Sequence, residues 1–199
     1  MKKVFFPLGV VTLLAALLLI GEIRSSSIIW IDEAGSRFFG SKDVFLLFEF
    51  LGSEWFLGSL SILAVLYLWF KHKNYFAMVI VLLAVAGGNV LSKVLKTWME
   101  RDRPVSGGIE ETFSFPSGHA MVSLIAAVVI VYLVSAESLS RSKAAAAYST
   151  GILFSILAGF SRLPEQAHYF SDVIGGWLIG YTYAVSCLLL YEWLLKKKQ

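Results

Sequence analysis

The chain has 199 residues, 57% of them hydrophobic and 16% charged, whereas an ordinary soluble domain carries about 25% charge. A formal net charge of +3, with no basic stripe and no nucleic-acid motif, excludes a nucleic-acid-binding protein, so no nucleic-acid partner is expected. One cysteine, Cys187, sits in an apolar run and excludes an intrachain disulfide.

A bilayer core of about 30 Å is crossed by roughly 20 apolar residues in helical form. Six runs come close to that length: residues 4–23, 55–70, 75–98, 117–136, 143–163 and 172–195. Helix is expected throughout, because backbone polar groups in lipid must be satisfied within their own segment. The fold class expected is all-α, a polytopic membrane protein with six transmembrane helices, in a single integral-membrane domain over residues 1–199. No polar linker, repeat or low-complexity tract divides it.

In chain order, the first run follows Lys2 and Lys3 and has the look of a signal peptide. With no small-x-small cleavage site before Arg24, it reads as an uncleaved first span. In residues 25–52, Trp30, Phe38, Phe39, Phe45, Phe48 and Phe50 interleave with Asp32, Glu33, Arg37, Lys42, Asp43 and Glu49. This predicts an amphipathic segment lying in the membrane interface, broken at Gly40 and Gly52. The second run extends back toward residue 44 if the apolar character is followed. An even number of spans puts both termini on one side. Lys2, Lys3, Lys71, Lys73, Arg141, Lys143 and Lys196 to Lys198 fall on that side, which predicts cytoplasmic termini. Residues between spans three and four, Ser106 among them, and those between spans five and six then face outward.

Three short segments on that outer side carry the polar chemistry. In the first, Lys96 and Arg103 are seven apart, about two turns if the helix continues, and Pro104 disfavours helical geometry at Arg103. Taken singly, Lys96, Arg103 and Arg162 also read as interfacial anchors. Taken together they read as an anion cradle, Arg supplying a fork and Lys a point charge. In the second, Pro116-Ser117-Gly118-His119 makes a tight turn. Ser117 caps the next helix, its free N–H groups suit phosphate oxygens, and His119 falls in its first turn. In the third, His168 and Asp172 are four apart and share a face if helical. There a carboxylate on one ring nitrogen leaves the other free to attack. No HExxH and no paired cysteines occur, and carboxylates in the motifs are few. The chemistry therefore reads as metal-independent, with no cofactor and no metal site.

Lys96…Arg103-Pro104, Pro116-Ser117-Gly118-His119 and Ser161-Arg162…His168…Asp172 resemble the three-part signature of the type 2 phosphatidic acid phosphatase family, every defining position filled. The resemblance implies an integral-membrane lipid phosphatase, similar to the small bacterial members that act on phosphatidylglycerophosphate or undecaprenyl pyrophosphate. It implies His168 as nucleophile forming a phosphohistidine, Asp172 orienting it and His119 as general acid. Lys96, Arg103, Ser117, Gly118 and Arg162 are then implied to hold the phosphate. Its partners would be a lipid phosphate substrate and membrane lipids, with no protein partner implied, in a bacterial plasma membrane. One departure stands out: where the family often has a tyrosine-leucine-glycine-like stretch, this chain has Pro164-Glu165-Gln166, a carboxylate three residues before His168. That stretch keeps open a different class, a catalytically impaired lipid-binding or transport protein.

Overall fold

The computed structural model describes residues 2–104 and 113–198; Ser106 lies outside them. The described residues form α1 (Lys2–Arg24), α2 (Ile29–Phe39), a 3-10 segment (Asp43–Gly52), α3 (Glu54–His72), α4 (Tyr75–Met99), α5 (Gly118–Ser138), α6 (Arg141–Phe160) and α7 (Phe170–Lys198). Among them, six helices (all but α2) are long and apolar enough to cross a membrane. At 1.5 Å per residue, the 21 residues of α5 reach about 30 Å.

Helix ends follow local chemistry. Ser53 caps α3 by accepting from the Phe56 N–H at 3.2 Å, and Asn74 caps α4 by accepting from the Ala77 N–H at 3.1 Å. Lys73 and Glu100 adopt left-handed conformations (φ 50° and 49°) that stop α3 and α4.

Helix α5 is central, packed on α7, α6, α4 and α3. Leu68, Ile80, Val81, Met121, Ile125, Val129 and Leu188 form the main core. In lipid, helices associate through close packing rather than water exclusion, so small residues matter at their contacts. A Cβ on Gly180 of α7 would stand 2.7 Å from the Met121 carbonyl oxygen, so only glycine lets α7 and α5 approach this closely. Apolar side chains on the opposite faces, such as Val10, Val11, Leu18, Leu63 and Val79, stay exposed, as lipid contact requires.

The interfacial segment breaks at both expected glycines: Gly40 caps the C-terminus of α2, and the 3-10 segment ends at Gly52. The second span therefore starts at Glu54 and does not reach back toward residue 44. The segment buries Phe39 against Phe160, Phe45 and Phe170, with ring centroids 4.7, 5.5 and 5.9 Å away, while Trp30, Phe38, Leu47 and Phe50 remain exposed. The buried rings fasten this segment over the ends of α6 and α7, where the third motif lies.

Candidate active site

A cavity of about 760 Å³ brings together Lys96 from α4, Gly118 and His119 from the start of α5, Arg162 after α6, and His168 before α7. Its further wall, with Leu57, Ile62, Leu82, Val85 and Val122, is apolar and runs between α3, α4 and α5. A polar end joined to an apolar wall suits a headgroup attached to a lipid chain.

The motifs are tied to one another by backbone bonds. The Ser117 N–H donates to the Asp172 carbonyl at 3.0 Å, and the Ser114 N–H to the Arg101 carbonyl at 2.8 Å. Lys96 Nζ donates to the Phe113 carbonyl at 2.7 Å, and Arg103 Nη1 to the Ala167 carbonyl at 2.8 Å, one residue before His168. Arg103, Ser117 and Asp172 are not among the residues that line this cavity, but they are bonded to the segments that carry His168 and Gly118.

Three local expectations change. Helix α4 ends at Met99, so Lys96 and Arg103 do not share a helical face; a left-handed turn at Glu100 redirects the chain instead. Ser117 occupies the N-cap position of α5, but its side chain makes no capping bond. Its Oγ is buried with no hydrogen-bond partner among the described residues, which suits an incoming phosphate oxygen. His168 lies outside α7, so the helical i,i+4 argument does not hold. The pair still meets, with His168 Nδ1 3.6 Å from Asp172 Oδ2, because Asp172 sits in the first turn of α7 and accepts from the Tyr169 N–H at 2.8 Å.

Burial pushes the His168 imidazole below its ordinary pKa; the Asp172 carboxylate opposes this, and Lys96 and Arg103 push with burial. The ring is therefore neutral near pH 7, the state a nucleophile needs. The Arg162 side chain, 6% exposed, donates to Glu49 of the 3-10 segment and, at 3.2 Å, to Glu165. The carboxylate of the Pro164-Glu165-Gln166 stretch thus points at a cradle cation. Among the described residues, no group of three His, Cys, Asp or Glu side chains could hold a metal ion.

Sequence reasoning missed Asp32, Glu49, Gly52 and Arg101. Asp32 of α2 is 6% exposed and accepts from Arg101 Nη2 at 2.6 Å, while Arg101 Nη1 reaches Asp172 Oδ1. Asp32, Gly35 and Phe39 form the buried stripe of α2, so a charge on an apolar stripe was the available signal. Gly52 packs against the His119 ring.

A family model described as the PAP2 superfamily matches residues 77–196. Phosphatidylglycerophosphatase B of Bacillus subtilis (strain 168) is 34% identical over 134 residues, and the match spans 65% of each chain, just under two thirds. The crystal structure of the transmembrane PAP2 type phosphatidylglycerolphosphate phosphatase from Bacillus subtilis is similar along almost the whole chain. Its TM-score is 0.81 at 28% identity, covering 96% of this chain and 97% of that one.

Proposed function

We propose that this chain, which belongs to the PAP2 superfamily, is a metal-independent lipid phosphate phosphatase that hydrolyses phosphatidylglycerophosphate to phosphatidylglycerol and phosphate. The observation that carries this reading is the cavity in which His168, His119, Lys96 and Arg162 stand at one end of an apolar wall. The Bacillus subtilis phosphatidylglycerophosphatase that this chain resembles in sequence and in crystal structure supports the choice of substrate.

His168 Nε2 attacks phosphorus while Nδ1–H is turned toward Asp172, and the bond to the lipid oxygen breaks as His119 delivers a proton to it. Such proton delivery is worth about 10²–10⁴-fold. Water, deprotonated by His119, then attacks the phosphohistidine and releases phosphate. Lys96, Arg103, Arg162, the Ser117 hydroxyl and the Gly118 N–H at the start of α5 hold the equatorial oxygens as charge develops. The chain acts as one catalytic unit over its whole length, in a bacterial plasma membrane. The basic residues on the terminal side support cytoplasmic termini and a cavity on the outer face. That orientation favours a second substrate reading, undecaprenyl pyrophosphate, a carrier recycled on the outer face.

Phosphate release by the purified full chain, in detergent, from a panel of lipid phosphates tests this reading. Phosphatidylglycerophosphate is expected to turn over fastest, with undecaprenyl pyrophosphate as the competing outcome. His168→Ala is expected to abolish release while still inserting and purifying. Release at the wild-type rate by that variant refutes the phosphohistidine route, and no release from any lipid by the wild-type chain refutes the phosphatase reading.

A further inference from the structure

Two buried carboxylates share one guanidinium behind His168. Arg101 Nη2 donates to Asp32 Oδ2 at 2.6 Å; Nη1 donates to Asp172 Oδ1 at 2.5 Å and to Ser171 Oγ at 2.8 Å. Side-chain exposure is 7% for Asp32, 16% for Arg101 and 0% for Asp172. Asp32 Oδ1 also accepts from the Ser171 N–H at 2.9 Å, and the guanidinium lies over the Tyr169 ring at 4.1 Å. Three charges in so dry a place are costly unless they are paired and hydrogen-bonded throughout, and here they are. None of these contacts holds the phosphate.

A helix cap alone does not explain the arrangement. Asp172 Oδ1 is fully engaged by Arg101, and Oδ2, held by the Tyr169 N–H, is the oxygen that faces His168. Arg101 thereby fixes which oxygen meets the imidazole. A single guanidinium on Asp172 would also cancel its charge; the second carboxylate leaves the group of three with one net negative charge.

We propose that Asp32 and Arg101 are positioning residues that set both the orientation and the effective charge of Asp172, coupling interfacial helix α2 to the nucleophile. The proposal rests on the reading of His168 and Asp172 as the reacting pair. Asp32 stabilises the imidazolium that forms transiently as phosphorus is attacked, and it does so through Arg101 without touching substrate. His168 is faced by Asp172 from α7, Lys96 from α4 and Arg103 beyond it, with His119 of α5 and Arg162 on the same cavity. Arg101 bridges two buried carboxylates.

The test uses the full chain in detergent, comparing Asp32→Asn, Asp32→Glu, Arg101→Lys and His168→Ala. Asp32→Asn keeps an acceptor for the Ser171 N–H but loses the charge. Its kcat is expected to fall about tenfold with KM nearly constant, because the reacting pair and not the substrate contacts is disturbed. The acid limb of its kcat profile is expected to move about half a unit lower, since removing a negative charge disfavours the imidazolium. Asp32→Glu restores part of both. If Asp32→Asn does not fold, Arg101→Lys carries the test, because a single nitrogen cannot reproduce the fork that meets Asp32 through Nη2 and Asp172 through Nη1, and its kcat is expected to fall likewise. Unchanged kcat in the folded variant overturns the proposal. So does a fall in kcat accompanied by a lower Tm with the acid limb unmoved, which marks a purely structural role. Turnover by His168→Ala removes the reacting pair itself and this proposal with it. A dead His168→Ala beside a normal Asp32→Asn removes the proposal alone.

Discussion

Replacing Gly52 with alanine perturbs His119 from outside the motifs. A Cβ built at Gly52 stands 2.3 Å from His119 Cδ2, 2.6 Å from Cγ and 2.7 Å from Cβ. Ordinary contact begins near 3.4 Å, so the ring must retreat by about 1.1 Å. Rotation about χ1 does not relieve this, because the His119 Cβ itself is too close and is fixed by the first turn of α5. Either α5 or the 3-10 segment has to move. A misplacement of about 1 Å in a reacting group costs on the order of 100-fold in rate. We therefore expect kcat for phosphatidylglycerophosphate to fall on the order of 100-fold in Gly52→Ala. The loss should be markedly smaller with p-nitrophenyl phosphate, whose leaving group needs little protonation. Phosphate release under saturating substrate measures both. Gly21→Ala in α1, where a Cβ meets nothing within 4 Å, serves as the control and should be indistinguishable from wild type. Wild-type kcat in Gly52→Ala refutes the proton-transfer role given to His119, whereas an equal loss with both substrates assigns the effect to the water-activation step that they share.

Excess EDTA should leave phosphate release unchanged, because the cradle consists of cations and histidines; strict dependence on added Mg²⁺ would refute the electrostatic roles given to Lys96, Arg103 and Arg162. In a Cys187→Ser background, Ser41→Cys should react with an impermeant thiol reagent on intact cells and Lys73→Cys should not. Both positions are exposed, and the reverse pattern inverts the topology. Glu165→Gln should lower KM about two- to fivefold, since one competitor for Arg162 is removed while solvent screening limits the gain. Unchanged KM would mean that the Glu165 carboxylate is irrelevant to anion binding.

The spans were legible because lipid imposes a simple rule, about 20 apolar residues with every backbone group satisfied internally, and α1 and α3 to α7 follow it. The interfacial segment was legible as a composition and as two glycine breaks, but not in its detail. Gly52 reads in sequence as a chain break, whereas in space its missing Cβ leaves room for the His119 ring. That is a long-range contact with no local signature. Helical periodicity misled where the motifs leave the helices. Lys96 with Arg103, and His168 with Asp172, have helical spacing, yet a left-handed Glu100 and a non-helical His168 show that the spacing serves a turn. Arg101 lies within the first motif and Asp32 far from all three, and nothing local says that they pair. Only the charge on the buried stripe of α2 hinted at it.

Burial divides the carboxylates around the cradle into two kinds. Asp172 and Asp32, 0% and 7% exposed, each accept from a backbone N–H as well as from Arg101. Removing either would strand a buried guanidinium, so they are permanent counter-ions. Glu49 and Glu165, 44% and 43% exposed, meet Arg162 from the solvent side. A half-exposed carboxylate returns to water at little cost, because an exposed ion pair is worth only about 0–1 kcal/mol. Arg162 itself is nearly buried and keeps a strong demand for an anion whenever either carboxylate leaves. Under the proposed function an incoming phosphate competes with the two weakly held glutamates, while Asp32 and Asp172 stay paired with Arg101. The acidic departure in the third motif is in this light a competitor for Arg162 rather than a block: Glu165, with Glu49 of the 3-10 segment, neutralises a nearly buried cation that the phosphate would take over under the proposed function.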